Sequence, residues 1–249
     1  FKNIIKFEPG YCMYVKNQKI IFYKKWKKKL LPFNTHSSLS LVKKELFNKI
    51  SNAVERQMIS DVPLGAFLSG GLDSSTIAYF AKKINPDINF FTINILGKEK
   101  YSFSDDIVYS KFLSEKLNLK LNIIDVDSKK LANDISEMIY NLEEPIADPS
   151  ALHVDYITRL ARDNGIKVML SGTGGDDLLS GYNRHKAIKL YDIMDNIPYK
   201  INNILAKIFY KFNNQKLNKF FNSYDLVKEK QLANLFSWID NDQLLNLYY

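Results

Sequence analysis

Two glycine-rich runs in this chain end in aspartate, and both have the residue types that hold phosphate. The first is Ser69-Gly70-Gly71-Leu72-Asp73-Ser74-Ser75, and the second is Ser171-Gly172-Thr173-Gly174-Gly175-Asp176-Asp177. Adjacent glycines permit positive φ and let a ligand approach the backbone closely. Where such a run leads straight into a helix, the first amides are unpaired and, with the helix dipole, form an anion site. The hydroxyls of Ser69, Ser74 and Ser75 add uncharged donors. Asp73 would repel a bare phosphate, so its presence points to a divalent cation between carboxylate and phosphate oxygens. If the two runs face each other, Asp73 and Asp176 can share one Mg²⁺. Either run alone could be a tight turn capped by its aspartate; the pair favours a ligand. The chain has neither a Walker A run with its lysine nor G-x-G-x-x-G.

A third stretch is Glu143-Glu144-Pro145-Ile146-Ala147-Asp148-Pro149-Ser150. Its carboxylates could orient a substrate amine, but capping a helix is the simpler role. His36, His153 and His185 are too scattered in sequence to suggest a metal cluster. Cys12 is the only cysteine, which excludes an internal disulfide and a cysteine-rich zinc site. It fits a reducing compartment, so a cytoplasmic location is expected.

The elements around these runs follow from periodicity. Tyr11–Val15 and Ile20–Tyr23 read as a hairpin about Lys16-Asn17-Gln18-Lys19, within residues 11–26. Leu39, Val42, Leu46, Ile50, Ala53, Val54 and Met58 form a helical stripe over 40–60. Strands are then expected at 62–68, 90–96, 121–126 and 166–170. Helices are expected at 73–84, 104–118, through Leu131–Leu142, and at 150–163 closed by Asn164-Gly165. Ser104, Asp105 and Asp106 suit the positive end of their helix. Residues 187–249 look helical and carry no motif. Alternating apolar strands and helices predict an α/β fold, a parallel sheet with helices on both faces, preceded by a short β-hairpin. Ligands of such sheets bind beyond the C-terminal strand ends, which is where both glycine runs lie.

The composition is that of a globular protein: 249 residues, 46% hydrophobic and 25% charged. No run of about 18 uncharged apolar residues occurs, so no membrane span is expected. The net charge of +8 is mostly lysine scattered along the chain, as on solvated faces. The densest run, Lys24-Lys25-Trp26-Lys27-Lys28-Lys29, could meet phosphate backbones or act as a localisation signal, but it reads best as an exposed linker.

The run Ser69–Ser75 resembles the pyrophosphate loop of the ATP pyrophosphatases. With Val62-Pro63-Leu64-Gly65 upstream and Ser171–Tyr182 downstream, the chain resembles the synthetase domain of glutamine-dependent asparagine synthetases. The resemblance covers nearly all of residues 4–190. It implies the ATP pyrophosphatase (adenine nucleotide alpha-hydrolase-like) fold. It also implies ATP and Mg²⁺, with adenine against backbone near Leu68 and Ile93, and Ser171 and Gly172 touching the nucleotide. The loop Ser69, Gly70, Gly71, Leu72, Asp73, Ser74 and Ser75 would hold the pyrophosphate part, with Asp73 and Asp176 on the metal. A carboxylate, aspartate first among candidates, would attack the α phosphate. Ammonia from an N-terminal glutaminase domain would then displace AMP and leave an amide. A homodimer is compatible with this scheme, and nucleic acid is not an expected partner.

The resemblance also sets boundaries. Pro9-Gly10-Tyr11 and the hairpin look like the end of the glutaminase domain, so residues 1–30 are assigned to it and 31–249 to the synthetase domain. The chain is expected to be an internal piece: the family's N-terminal cysteine nucleophile is absent, Cys12 is no substitute, and the family's catalytic lysine would lie beyond Tyr249. Thr173 departs from the family, which usually carries glutamate there. That opens a second acceptor class, such as a sugar acid of surface polysaccharide. A third reading, an RNA-modifying pyrophosphatase, is weakened by the 68 residues before the first loop and the lack of paired cysteines.

Overall fold

A computed structural model describes residues 4–26, 38–97, 104–142, 146, 148, 150–194, 220 and 228–237. Two compact units divide between Ile50 and Ser51. The expected domain boundary at 30–31 lies outside the described residues.

The first unit holds the antiparallel strands β1 (Tyr11–Lys16) and β2 (Lys19–Lys25). Lys16 pairs with Lys19, and the two residues between them, Asn17 and Gln18, have φ of 49° and 61°. Those angles match a type I′ turn, whose twist suits a hairpin. Tyr11 stacks on Tyr23 across the strands with ring centroids 4.8 Å apart. Helix α1 (Leu39–Gln57) ends three residues before the expected limit. Its stripe has helical spacing, but only Val54 in it is fully buried; Leu39 and Val42 are exposed among the described residues. Of the lysine run, Lys24 and Lys25 end β2; Lys27–Lys29 lie outside the described residues.

The second unit is built on a four-stranded parallel sheet. Its elements are β3 (Leu64–Phe67), α2 (Leu72–Ile84), β4 (Asn89–Leu96), α3 (Ser104–Leu117) and β5 (Lys120–Asp127), followed by α4 (Ser128–Asn141), α5 (Ser150–Asp163), β6 (Val168–Leu170), α6 (Gly175–Leu179), α7 (Asn183–Met194) and α8 (Lys228–Phe236). The strand order is β5-β4-β3-β6. The chain thus builds outward from β3 to β5, then returns to add β6 on the other side of β3. Right-handed crossovers place α2 and α3 on one face and the α4–α5 connection on the other. β3 is shorter than the expected 62–68 because Pro63 has no N–H to give a ladder. Its flanks still bond: Leu68 N–H donates to Phe91 O at 3.0 Å, and Lys167 N–H to Pro63 O at 3.4 Å.

The core explains the alternation along β4. Phe91 and Ile93 pack with Ile157, Ala161 and Ile166 on the α5 face. Phe90 and Thr92, also buried, point to the opposite face. A second cluster joins Val126, Met138, Leu152 and Tyr156, so that α4 and α5 cover β5 together. The end of α5 closes as expected at Asn164-Gly165. Gly165 N–H donates to Arg162 O and Ile166 N–H to Ala161 O, both at 2.9 Å, and the Ile166 side chain packs back on Ala161. That is the Schellman pattern with its hydrophobic contact.

α4 and α5 are also joined by a polar clasp. Tyr156 Oη donates to Asp134 Oδ2 at 2.5 Å, and Lys130 Nζ reaches the same oxygen at 2.7 Å. The Lys130 and Tyr156 hydrogen bonds hold the Asp134 carboxyl below its ordinary pKa. Tyr156→Phe keeps the ring and loses one hydrogen bond, at an expected cost of about 1 kcal/mol. Because the folded pKa of Asp134 is depressed, the carboxylate's stabilisation is present above its unfolded pKa and lost as pH falls through the folded one. Chemical denaturation should therefore show the gap between wild type and Tyr156→Phe narrowing in acid. A gap independent of pH would refute the clasp.

Candidate active site

The strand order reverses at β3, and both glycine runs begin there, after β3 and after β6. In open parallel sheets this switch point is where the loops part and leave a crevice. A cleft of about 550 Å³ opens there. Ser69, Gly71, Leu72, Asp73 and Ser74 line one side, and Ser171, Gly172, Thr173, Gly174 and Asp176 the other. Parallel pairing of β3 with β6 thus brings together two runs that are far apart in sequence.

The first run is held rigidly. Gly70 has φ of +81°, and a Cβ there would lie 2.5 Å from Asp106 O and 2.8 Å from Tyr109 Cβ. The loop is therefore seated directly on α3, which only glycine permits. Ser110, fully buried on α3, donates to Leu68 O at 2.9 Å. Two of the three serine hydroxyls expected as donors are committed within the loop. Ser74 Oγ and Ser75 Oγ both donate to Gly71 O, at 3.1 and 2.6 Å. Ser69 Oγ lies 2.9 Å from Ser74 Oγ and accepts from Gly71 N–H at 3.4 Å. Each hydroxyl has one proton, and here those of Ser74 and Ser75 shape the loop.

What remains for an anion is the backbone. Gly71 is the N-cap of α2 and has no side chain to cap with, and Asp73 and Ser74 lie within the first turn rather than at the capping position. The amides of Leu72, Asp73 and Ser74 are within the first turn and have no intrahelical acceptor. They line the cleft at the positive end of a 13-residue helix.

The second run packs on this helix start. A Cβ at Gly172 would fall 2.7 Å from Ser74 N and 2.8 Å from Asp73 C. Asp73 occupies the space a side chain at position 175 would take, so its carboxylate abuts the residue just before Asp176. Thr173 is exposed; its Oγ1 lies 2.7 Å from Ser171 Oγ, which accepts from Thr173 N–H at 3.1 Å.

Among the described residues no group of three or more His, Cys, Asp or Glu could hold a metal by itself. The donor set is two carboxylates, Asp73 and Asp176, lining one cleft. Mg²⁺ is commonly held by one or two carboxylates together with substrate phosphates and water, so these residues fit it.

A smaller apolar pocket of about 170 Å³ adjoins the cleft, lined by Leu68, Phe91, Thr92 and Ile93 among others. Its position has a simple cause. β3 pairs with β4 only as far as Phe67 with Phe91, so β4 at Ile93 has lost its neighbour on that side. Leu68 and Ile93, both expected near a base, meet in this pocket.

The sequence reading missed the wall contributed by α5. Ser150, His153, Val154 and Ile157 line the cleft at helical spacing i, i+3, i+4 and i+7. That stripe was legible as one face, but His153 was weighed only as a metal ligand. Burial pushes its pKa down, against an opposing pull from Asp148. Of the third stretch, Asp148 does cap: its Oδ1 accepts from Ser150 N–H at 2.9 Å. Glu143, Glu144, Pro145, Ala147 and Pro149 lie outside the described residues. Tyr182 also lines the cleft, with the Arg184 guanidinium 4.1 Å from its ring centroid.

Comparison with known proteins gives a consistent result. The family model described as asparagine synthase matches residues 45–244. The glutamine-hydrolysing asparagine synthetase 1 of Bacillus subtilis (strain 168) is 31% identical over 208 residues, 83% of this chain and 32% of that protein. A putative glutamine-hydrolysing asparagine synthetase of Mycobacterium bovis is 31% identical over 66% of this chain and 24% of that protein. One from Methanocaldococcus jannaschii is 30% identical over 72% of this chain and 33% of that protein. The chain spans about a third or less of the length of these relatives.

Proposed function

The chain belongs to the asparagine synthase family, and on that premise we propose that it forms the ATP-consuming centre of a glutamine-dependent, amide-forming ligase. One observation carries this reading: two glycine-rich loops close on one cleft at the sheet's switch point, around an uncapped helix start. The first-turn amides of α2 receive the pyrophosphate part of ATP, and the base lies in the pocket of Leu68 and Ile93. Ser171 and Gly172 border the nucleotide. A Mg²⁺ held by Asp73 and Asp176 would offset charge building on the leaving pyrophosphate. The fixed amides add to this without reorganising during reaction. A carboxylate attacks the α phosphate, pyrophosphate leaves, and ammonia displaces AMP to give the amide. In the whole protein the ammonia comes from glutamine at an N-terminal glutaminase domain, whose last part would be residues 1–30. Intact protein with Mg²⁺, ATP, ammonia and a panel of carboxylic acids should release pyrophosphate in proportion to amide formed. Absence of acceptor-dependent pyrophosphate would overturn the proposal.

Aspartate is the first acceptor to test. Thr173 favours keeping a second in view, because its hydroxyl is exposed on the cleft and cannot ionise as glutamate can. If aspartate is the acceptor, Thr173→Glu should retain or raise asparagine formation. If another carboxylate, such as a sugar acid, is the acceptor, that acid should outpace aspartate and Thr173→Glu should not improve its reaction. Rapid asparagine formation by the wild type would exclude this second reading.

A further inference from the structure

Strand β4 buries a hydroxyl that the sheet does not use. Thr92 is 4% exposed, between Phe91 and Ile93 in a strand covered on both faces. Such strands are built mainly from apolar residues, and valine has the same shape without the hydroxyl. The buried hydroxyls of Ser74 and Ser110 each have an acceptor, Gly71 O and Leu68 O. That of Thr92 has no hydrogen-bond partner among the described residues. A hydroxyl taken out of water without a partner destabilises the fold. Its oxygen is not fully enclosed, however, and the space beside it is the apolar pocket of about 170 Å³ that Thr92 lines with Leu68 and Ile93. The last bond from β3 to β4, Leu68 N–H to Phe91 O, comes just before Thr92, so the pocket opens next to this residue.

We propose that the Thr92 hydroxyl hydrogen-bonds the base of the bound nucleotide, which makes Thr92 a binding residue of this site outside both glycine runs. The inference rests on the nucleotide reading above, which puts the base in this pocket. Ligand pockets are mostly apolar, with a few placed polar groups that fix orientation. Adenine presents an amino donor and ring-nitrogen acceptors, and a hydroxyl can meet either. The β-branch restricts the side chain's rotamers and the sheet holds its backbone, so the hydroxyl is set in place before a ligand arrives. Binding of the base then removes the penalty of an unpaired hydroxyl.

The test is calorimetric titration of the intact protein, in Mg²⁺, with ATP and with AMP, which has the base without the leaving pyrophosphate. Thermal melting without nucleotide accompanies it. Thr92→Val should weaken binding of both nucleotides about tenfold. Thr92→Ser, which keeps the hydroxyl, should bind both nearly as tightly as wild type. Without nucleotide, Thr92→Val should melt no lower than wild type, because valine removes an unpaired hydroxyl and fills the same volume. Wild-type affinity in the valine variant overturns the inference while leaving the nucleotide reading intact. So does an equal loss in both variants, which would mean a misshapen pocket, or a loss for ATP alone, which would put the hydroxyl at the phosphates. A lower melting temperature of the valine variant would reveal a protein partner for the hydroxyl and overturn the inference too. Failure of wild type to bind ATP at all would instead remove the nucleotide reading, and this inference with it.

Discussion

Asp73→Asn and Asp176→Asn are each expected to reduce Mg²⁺-dependent pyrophosphate release about a thousandfold. Asparagine has nearly the volume of aspartate, so the packing of residue 73 against Gly175 survives and only the charge is lost. A loss of activity with an unchanged melting temperature would separate the metal role from a folding defect. The pair carries a sharper test. If both carboxylates hold one cation, the double variant should be hardly worse than either single variant, because residues acting as a unit are not additive. Independent, multiplying losses would refute the shared ion. Wild-type turnover in either single variant would remove that residue from the metal site.

Gly172→Ala is expected to be nearly as damaging for a different reason. The added Cβ would meet Ser74 N at 2.7 Å, Asp73 C at 2.8 Å and Ser74 Cα at 3.0 Å. These are backbone atoms of the first turn of α2 and cannot rotate away as a side chain can. The second loop must move off the helix start, separating Asp176 from Asp73 and widening the cleft that grips phosphate. Overpacking of this kind costs about 1–3 kcal/mol of stability. Displacement of about 1 Å in a positioned site costs about a hundredfold in rate. Steady-state pyrophosphate assays should show that loss together with weaker ATP binding in titration. An alanine variant with wild-type kinetics would mean that the two loops are not held against each other during turnover.

These two expectations differ in how legible they were. The aspartates could be singled out because each ends a glycine run at a strand-to-helix junction, and both signals are local. Glycine 172 could be marked as part of a run, but not as the residue that touches α2. That contact joins parts of the chain separated by three strands and three helices. The serines show the reverse failure. Their hydroxyls looked available, and the structure commits those of Ser74 and Ser75 to Gly71 O, because a short side chain on a tight turn finds its nearest acceptor in its own backbone.

Taken by itself, the amino-acid sequence determined the elements and their punctuation. The hairpin turn, the helical stripes, the apolar strands and the Asn164-Gly165 stop all arise from backbone preferences and side-chain periods that act over a few residues. It also determined the residue types at the strand ends and, through them, the family. The tertiary structure alone decided that β6 returns beside β3, so that residues 69–75 and 171–176 share a cleft. It decided likewise that β3 stops short of Ile93, leaving a pocket, and that α5 lines both that pocket and the cleft with His153 and Ile157. Sheet order and the aim of a helix face come from packing the whole core at once. No local stretch of sequence encodes them, because the free energy that selects them is shared among side chains far apart in the chain.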